Sequence, residues 1–543
     1  MPSGTMNSRW RRIDGCLMPL RGPSGSSHPM SAASIELRTG DTRVTRSPAA
    51  GHHAARTHPV GSPIMRHLLS VVLLCGLCLL ARPASAQDAQ PGEPYSPAVL
   101  RGELAHLYES LQSAHVDLFV HRTKSEYDER FNASLRAIDR PMRRLDVVRL
   151  FMPFVAYGRI GHAKIDFPIQ DYIAYYQAGG TLLPLDIAFR DGRPLLAHAY
   201  VDHPALVPGR EVLRINERPI ADWLDRTGRF VSAERPYMVN AQLESMFPRL
   251  MWLSEGRVDP YSVTLQTEDG AQATVELQPQ SVAVIEEAKA AREAEAHRRT
   301  ARMLDDSTAY LRPGPFYAAG GEESLESVVA FYDTAFADFI AAGAQDLIVD
   351  LRNNPGGDNS FSDPMIAWFA DRPFRFASRY VLKASPETRR VLDELATRYP
   401  DGVSAQMQAA MQAHDDGERF EFEIPKVSPR SGKRFTGRVW ALINRHSYSN
   451  ATTVAAIIQD NGFGTLVGEQ TADLPTSYAS SAQFTLPVTG LAVTYPKGYF
   501  VRPSGDTALR GVQPDIPLPP PALSQPGDGV LDALRQHIAK QAR

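Results

Sequence analysis

The stretch 439–460, VWALINRHSYSNATTVAAIIQD, constrains this chain more than any other. It opens with an apolar run, VWALI, that reads as a buried strand. A polar turn follows, Asn444-Arg445-His446-Ser447-Tyr448. Ser449 and Asn450 then stand where helix N-caps stand, ahead of Ala451, Val454, Ala455, Ile457 and Ile458 at helical spacing. Asn461-Gly462 closes the pattern as a C-cap does. The spacing therefore sets Ser447 at a strand-to-helix turn, beside free backbone N–H groups and the positive end of a helix dipole. That position suits a nucleophile that develops an oxyanion, and it equally suits an ordinary turn serine.

Before this core the chain changes character twice. Residues 1–64 are rich in Ser, Pro, Gly, His and Arg without periodicity, and read as a mis-called or disordered leader ahead of Met65. Residues 65–86, MRHLLSVVLLCGLCLLARPASA, have the basic start, apolar centre and Ala-Ser-Ala ending of a secretory signal, with cleavage expected before Gln87. All three cysteines, Cys16, Cys75 and Cys78, fall in these two segments. The exported chain then needs neither disulfide nor thiol, which suits a periplasm or exterior. Removing the ten Lys/Arg and three Asp/Glu of 1–86 leaves 48 basic and 58 acidic residues, a net of −10. An acidic product is a poor nucleic-acid binder. No later stretch is long and apolar enough to span a bilayer.

Residues 95–170 read as a helical N-terminal domain, with helices near 98–115, 125–138 and 145–157. It ends in Gly161-His162-Ala163-Lys164-Ile165, a loop leading into a strand, where His162 is either a structural histidine or a general base. Residues 180–283 alternate apolar and polar residues between turn signals and read as β-rich. The piece 208–220 resembles the strand-turn signature of PDZ-like modules, which take a peptide as an added strand; a ligand-free β insert fits equally. Residues 284–303 read as a solvated helical connector. From 304 to 520 the pattern is α/β, with a helix over 325–341, the strand DLIVDL and the turn Arg352-Asn353-Asn354-Pro355-Gly356-Gly357. That turn exposes backbone N–H groups, as an oxyanion-hole wall or as a plain tight turn. A helical insertion is expected over 385–420, and a terminal helix within 526–543.

Gly161-His162, the β insert, DLRNNPGG, the serine turn, VGEQT and the closing GVQPD stand in one order that resembles the tail-specific, or C-terminal processing, serine protease family, within it the tricorn-like branch. The resemblance implies a crotonase/ClpP-like β-spiral catalytic domain that hydrolyses peptide bonds without metal or other cofactor. It implies Ser447 as nucleophile, with the N–H groups of Tyr448 and of Gly356 or Gly357 as the oxyanion hole. Better-known members place a lysine about two dozen residues after the serine; here that position is Ala472, and no lysine follows before Lys497. A free hydroxyl is a weak nucleophile, so another base is required. The tricorn-like branch implies His162, oriented by a carboxylate, for which Asp506 is the candidate. The expected product is an exported serine endopeptidase with a polypeptide substrate. The competing expectation is a non-catalytic relative that binds peptides or apolar ligands, motivated by the missing lysine. An acyl-CoA enzyme of the wider crotonase superfold does not suit a secreted chain. No His-Glu-x-x-His metal signature is present.

Overall fold

The computed structural model describes residues 93–320, 323–400 and 402–541. The leader and the signal segment expected over 1–64 and 65–86 lie outside the described residues.

Three helices, Pro97–Ala114, Lys124–Ala137 and Arg144–Ala156, open the chain within a residue of the expected positions. Their starts are written locally. Ser96 accepts the Val99 N–H, and Thr123 and Glu126 form a reciprocal capping box. Their apolar faces do not close a core of their own. Leu104, Phe151 and Phe154 join one continuous core with Tyr172, Phe247 and Val263, and with Phe484 and Tyr495 from near the far end of the chain.

The β-rich reading of 180–283 holds for its strands. A hairpin pairs Leu185–Arg190 with Arg193–Ala199, and a four-stranded sheet runs Arg218–Pro219, Val212–Ile215, Tyr261–Gln266, Gln272–Leu277. The same stretch also holds a 20-residue helix, Pro236–Glu255, started by Pro236 in its first turn and stopped by Gly256 at φ 77°. The expected solvated connector is corrected as well. The helix Val282–His297 buries Val282, Ile285, Glu286 and Lys289, and the Glu286 carboxylate accepts from Tyr172 and Arg249. Residues 300–303 form a strand.

The rest of the chain is mixed α/β. Its central sheet has the strand order Thr300–Met303, Thr308–Arg312, Asp346–Asp350, Arg438–Ile443, Thr465–Gly468, Ile516–Pro517. All neighbours are parallel except the first pair. Parallel strands need both faces covered, and both are. Leu347, Val349, Ala441 and Ile443 pack with the helices Leu325–Ala341 and Asn450–Asp460 on one face. Ile348, Trp440 and Leu442 pack on the other against Leu531, Leu534 and Ile538 of the helix Gly529–Gln541. Asp346–Asp350 and Arg438–Ile443 lie side by side in register, Asp350 opposite Leu442. Their C-terminal ends therefore deliver DLRNNPGG and the serine turn to the same edge, where α/β sheets place ligands.

A second sheet brings in the N-terminal segment. The short strand Lys164–Ile165 pairs antiparallel with Ala492–Val501, which also pairs with Arg379–Lys383 and Ser477–Thr485. The His162 loop is thereby tied to the C-terminal half of the molecule. Among the described residues no helix is long and apolar enough to cross a membrane.

Candidate active site

The turn after Arg438–Ile443 handles its two serines differently. Ser447 is fully buried. Its Oγ donates to the Leu351 carbonyl at 2.8 Å and accepts the Asn444 N–H at 3.1 Å. Its carbonyl accepts from Thr452 Oγ1 at 2.8 Å. Such a hydroxyl is a clamp between the serine turn and the end of the neighbouring strand, and it does not line the cavity that holds His162. The nucleophile expected at Ser447 is corrected on these grounds.

Ser449 has the opposite setting. It is the residue immediately before the helix Asn450–Asp460, at φ 51° and ψ −121°, with no side-chain cap bond. Non-glycine residues rarely adopt positive φ, and the strain costs about 1–3 kcal/mol. Sharp strand-to-helix turns of this type lift a serine Oγ clear of its own backbone. Ser449 lines a cavity of about 590 Å³ together with His162, Gly357, Asn450 and Asp473.

His162 enters that cavity from the loop before Lys164–Ile165. It is 9% exposed, and neither ring nitrogen has a hydrogen-bond partner among the described residues. Its ring stacks on Tyr448 with centroids 5.7 Å apart and 20° between planes. Burial holds the imidazole below its ordinary value, Asp473 pulls it back up, and Lys164 pushes it down. At neutral pH the ring is therefore neutral, the form that accepts a proton. Asp473 is 1% exposed; its Oδ2 accepts the Ser449 N–H at 2.6 Å and its Oδ1 the Leu474 N–H at 2.8 Å. A second buried carboxylate, Glu234, accepts the Gly161 N–H at 2.9 Å and is pushed up to about 7, mainly by desolvation.

Asp506 is not the carboxylate beside His162. It sits at the surface, where its side chain accepts the Ala508 N–H at 2.9 Å and pairs with Arg510 at 3.0 Å. Only its backbone carbonyl, bonded by Thr476, ties it inward. The expected orienting role of Asp506 is corrected: a short exposed side chain held by its own loop does not meet a buried ring.

Of the N–H groups expected as oxyanion donors, that of Gly357 is uncommitted among the described residues, while those of Tyr448 and Gly356 are taken. The Tyr448 N–H is committed to the Asn354 carbonyl at 2.9 Å, and the Gly356 N–H to Asn354 Oδ1 at 2.9 Å. The N–H groups of Gly357 and Asn450 make no hydrogen bond among the described residues, and both residues line the cavity. Gly356 serves another purpose. At φ 87°, a Cβ on it would lie 2.5 Å from the Tyr448 carbonyl oxygen and 2.7 Å from the Asn450 nitrogen. Glycine there lets the two turns pack backbone to backbone.

Residues 322–518 match the sequence model of Peptidase family S41. The chain carries a peptidase family S41 domain. No curated protein sequence matches the chain. Among solved structures, mature CPAF superposes with a TM-score of 0.59 at 14% identity, covering 81% of this chain and 96% of that one. Mature CPAF complexed with lactacystin superposes at 0.58, again at 14% identity, covering 81% and 97%. At this identity the likeness is one of fold.

Around this cavity, the sequence motifs hold the turns in place. The DLR aspartate, Asp350, accepts from Tyr310 at 2.7 Å and pairs with Arg352, which also pairs with Asp528 at the start of the last helix. Glu469 of VGEQT pairs with buried Arg445, which also pairs with Glu244. Sequence reasoning missed Ser449, Asp473 and Asn450. Ser449 stands nearest the helix start and Asp473 ends the VGEQTAD run, but neither position alone shows which side chain faces the cavity. Among the described residues there is no cluster of three or more His, Cys, Asp or Glu fit to hold a metal.

Proposed function

We propose that the chain is an exported serine endopeptidase of the tail-specific type, with Ser449 as nucleophile and His162 as general base. The observation that carries this reading is the positive-φ Ser449, placed on the same cavity as a neutral, unbonded imidazole. His162 takes the Ser449 proton as Oγ bonds to the substrate carbonyl carbon. The Gly357 and Asn450 N–H groups, with the helix N-terminus, stabilise the oxyanion. Asp473 stabilises the imidazolium, which then protonates the leaving amine as the C–N bond breaks. Water, deprotonated by His162, hydrolyses the acyl-enzyme. The crotonase-like spiral and a PDZ-like role for 180–283 belong to the same reading. So does export, which rests on the signal pattern of 65–86.

A fluorophosphonate probe tests the proposal. Wild type is expected to be labelled on Ser449, with labelling lost in Ser449→Ala and at least a hundredfold slower in His162→Ala. Labelling that persists in Ser449→Ala sinks the assignment. The absence of a hydrogen bond from His162 to Ser449 favours a second reading, a silent peptide binder; it predicts no labelling of wild type, with peptide binding retained.

A further inference from the structure

We infer that Lys497 binds a carboxylate of the substrate inside the catalytic cavity, selecting peptides that carry an acidic side chain or a free C-terminus near the scissile bond. The inference rests on the peptidase reading above.

Four cationic side chains are buried among the described residues: Lys289, Arg445, Lys497 and Arg502. Three have a carboxylate in contact. Lys289 meets Asp186 at 2.7 Å, Arg445 meets Glu244 at 2.9 Å, and Arg502 meets Asp460 at 2.7 Å. Lys497, 8% exposed, has none within 4.0 Å among the described residues. Burying an unpaired ammonium is costly, so buried charges are normally paired. Lys497 is the exception, and it lines the cavity that holds Ser449 and His162.

The ammonium is nonetheless held in a fixed place. Nζ donates to Ser480 Oγ at 2.5 Å and to the Ser480 carbonyl at 3.3 Å. Ser480 adopts φ 58° within its strand, and the ladder that pairs Ala479 with Gly498 and Ser481 with Pro496 omits it. Its strained backbone turns both oxygens to Nζ. These acceptors are neutral, so they position the charge without cancelling it. An ammonium has three donors, and one is left. Asp358 attracts Lys497 but is itself exposed and beyond ion-pair reach; burial still pulls the amine down to about 8. Phe376, Tyr380, Phe422 and Phe500 form apolar walls of the same cavity. A buried donor among aromatic walls rewards a carboxylate that arrives on a peptide and leaves its water behind.

The test compares internally quenched peptides of one sequence that carry Glu or Gln beside the scissile bond and end in a free or amidated C-terminus. Wild type is expected to favour the carboxylate member about ten- to a hundredfold in kcat/KM. Lys497→Met is expected to bring that ratio to about one, and Lys497→Arg to restore part of it. The Glu/Gln and acid/amide pairs separate the two sources of the carboxylate. A wild-type ratio near one in both pairs overturns the inference, as does a ratio that survives Lys497→Met. If no peptide is cleaved, fluorophosphonate labelling of Ser449 decides the peptidase reading separately. Anisotropy of the same peptides on Ser449→Ala protein, with and without Lys497→Met, then reads the carboxylate preference. Equal affinities on the single variant overturn the inference; a preference abolished in the double variant upholds it.

Discussion

Ser447 and Ser449 stand two residues apart on opposite sides of one turn, and their substitutions are expected to separate stability from chemistry. Ser447→Ala leaves the Leu351 carbonyl and the Asn444 N–H without their buried partner. The expected cost is about 1–3 kcal/mol in urea unfolding, with fluorophosphonate labelling retained. Ser449→Ala removes a hydroxyl that makes no hydrogen bond among the described residues. It is expected to shift stability by less than about 0.5 kcal/mol and to abolish labelling. The reverse pattern returns the nucleophile to Ser447. The strand-to-helix turn was legible in 439–460, because apolar runs and N-cap residues are local signals. Which serine faces the cavity was not legible. That depends on the Leu351 carbonyl and the Asp473 carboxylate, which reach the turn only through sheet pairing and folding of distant segments.

At the scale of elements, the site is the meeting of two turns at adjacent strand ends, and Gly356 sets their spacing. Gly356→Ala adds a Cβ at φ 87° against the Tyr448 and Asn450 backbones, atoms that no rotamer change moves aside. The expected result is a labelling rate reduced at least about tenfold together with a lower melting temperature; an unchanged rate shows that the turns do not need this contact. The glycines of NNPGG were visible in the sequence, but their division of labour was not. Gly356 supplies close approach and Gly357 a free donor, because Asn354 uses its side chain and carbonyl to occupy the neighbouring amides. Helices of the N-terminal part were legible to within a residue because apolar spacing is a local signal; the first two also carry side-chain caps, the third does not. The helix Pro236–Glu255 was not, since its pattern lies between two strongly alternating stretches.

For the whole molecule, buried histidines favour unfolding in acid, and two buried carboxyls, Glu234 pushed up to about 7 and Asp363 pushed up to about 8 by desolvation, oppose them. His115 is 1% exposed and held down to about 3, first by desolvation and then by Lys383, Arg419 and His121. His162 is also held below its ordinary value. A folded-state pKa below the unfolded one means that, between about pH 3 and 6.5, the unfolded chain binds more protons. The histidine contribution to stability is therefore expected to fall as pH drops through that window, by up to about 1.4 kcal/mol per pH unit for each such proton. Urea midpoints of wild type and His115→Gln measured from pH 8 to pH 4 check this, and the same pH slope in both proteins refutes it. His115→Gln is expected to lower stability at pH 8 and to flatten the decline. Labelling of Ser449 is expected to persist through the ordinary histidine range and to fall only in more acid solution, because burial holds His162 below its ordinary value.

His162 hangs from the core that contains the N-terminal helices, whereas Ser449 stands on the sheet built from the C-terminal half, and Lys164–Ile165 joins the two by pairing with Ala492–Val501. On the proposed assignment, a chain in which only one half has folded holds Ser449 without His162, or His162 without Ser449. On that assignment, competence therefore requires both halves to be folded and paired through this short ladder.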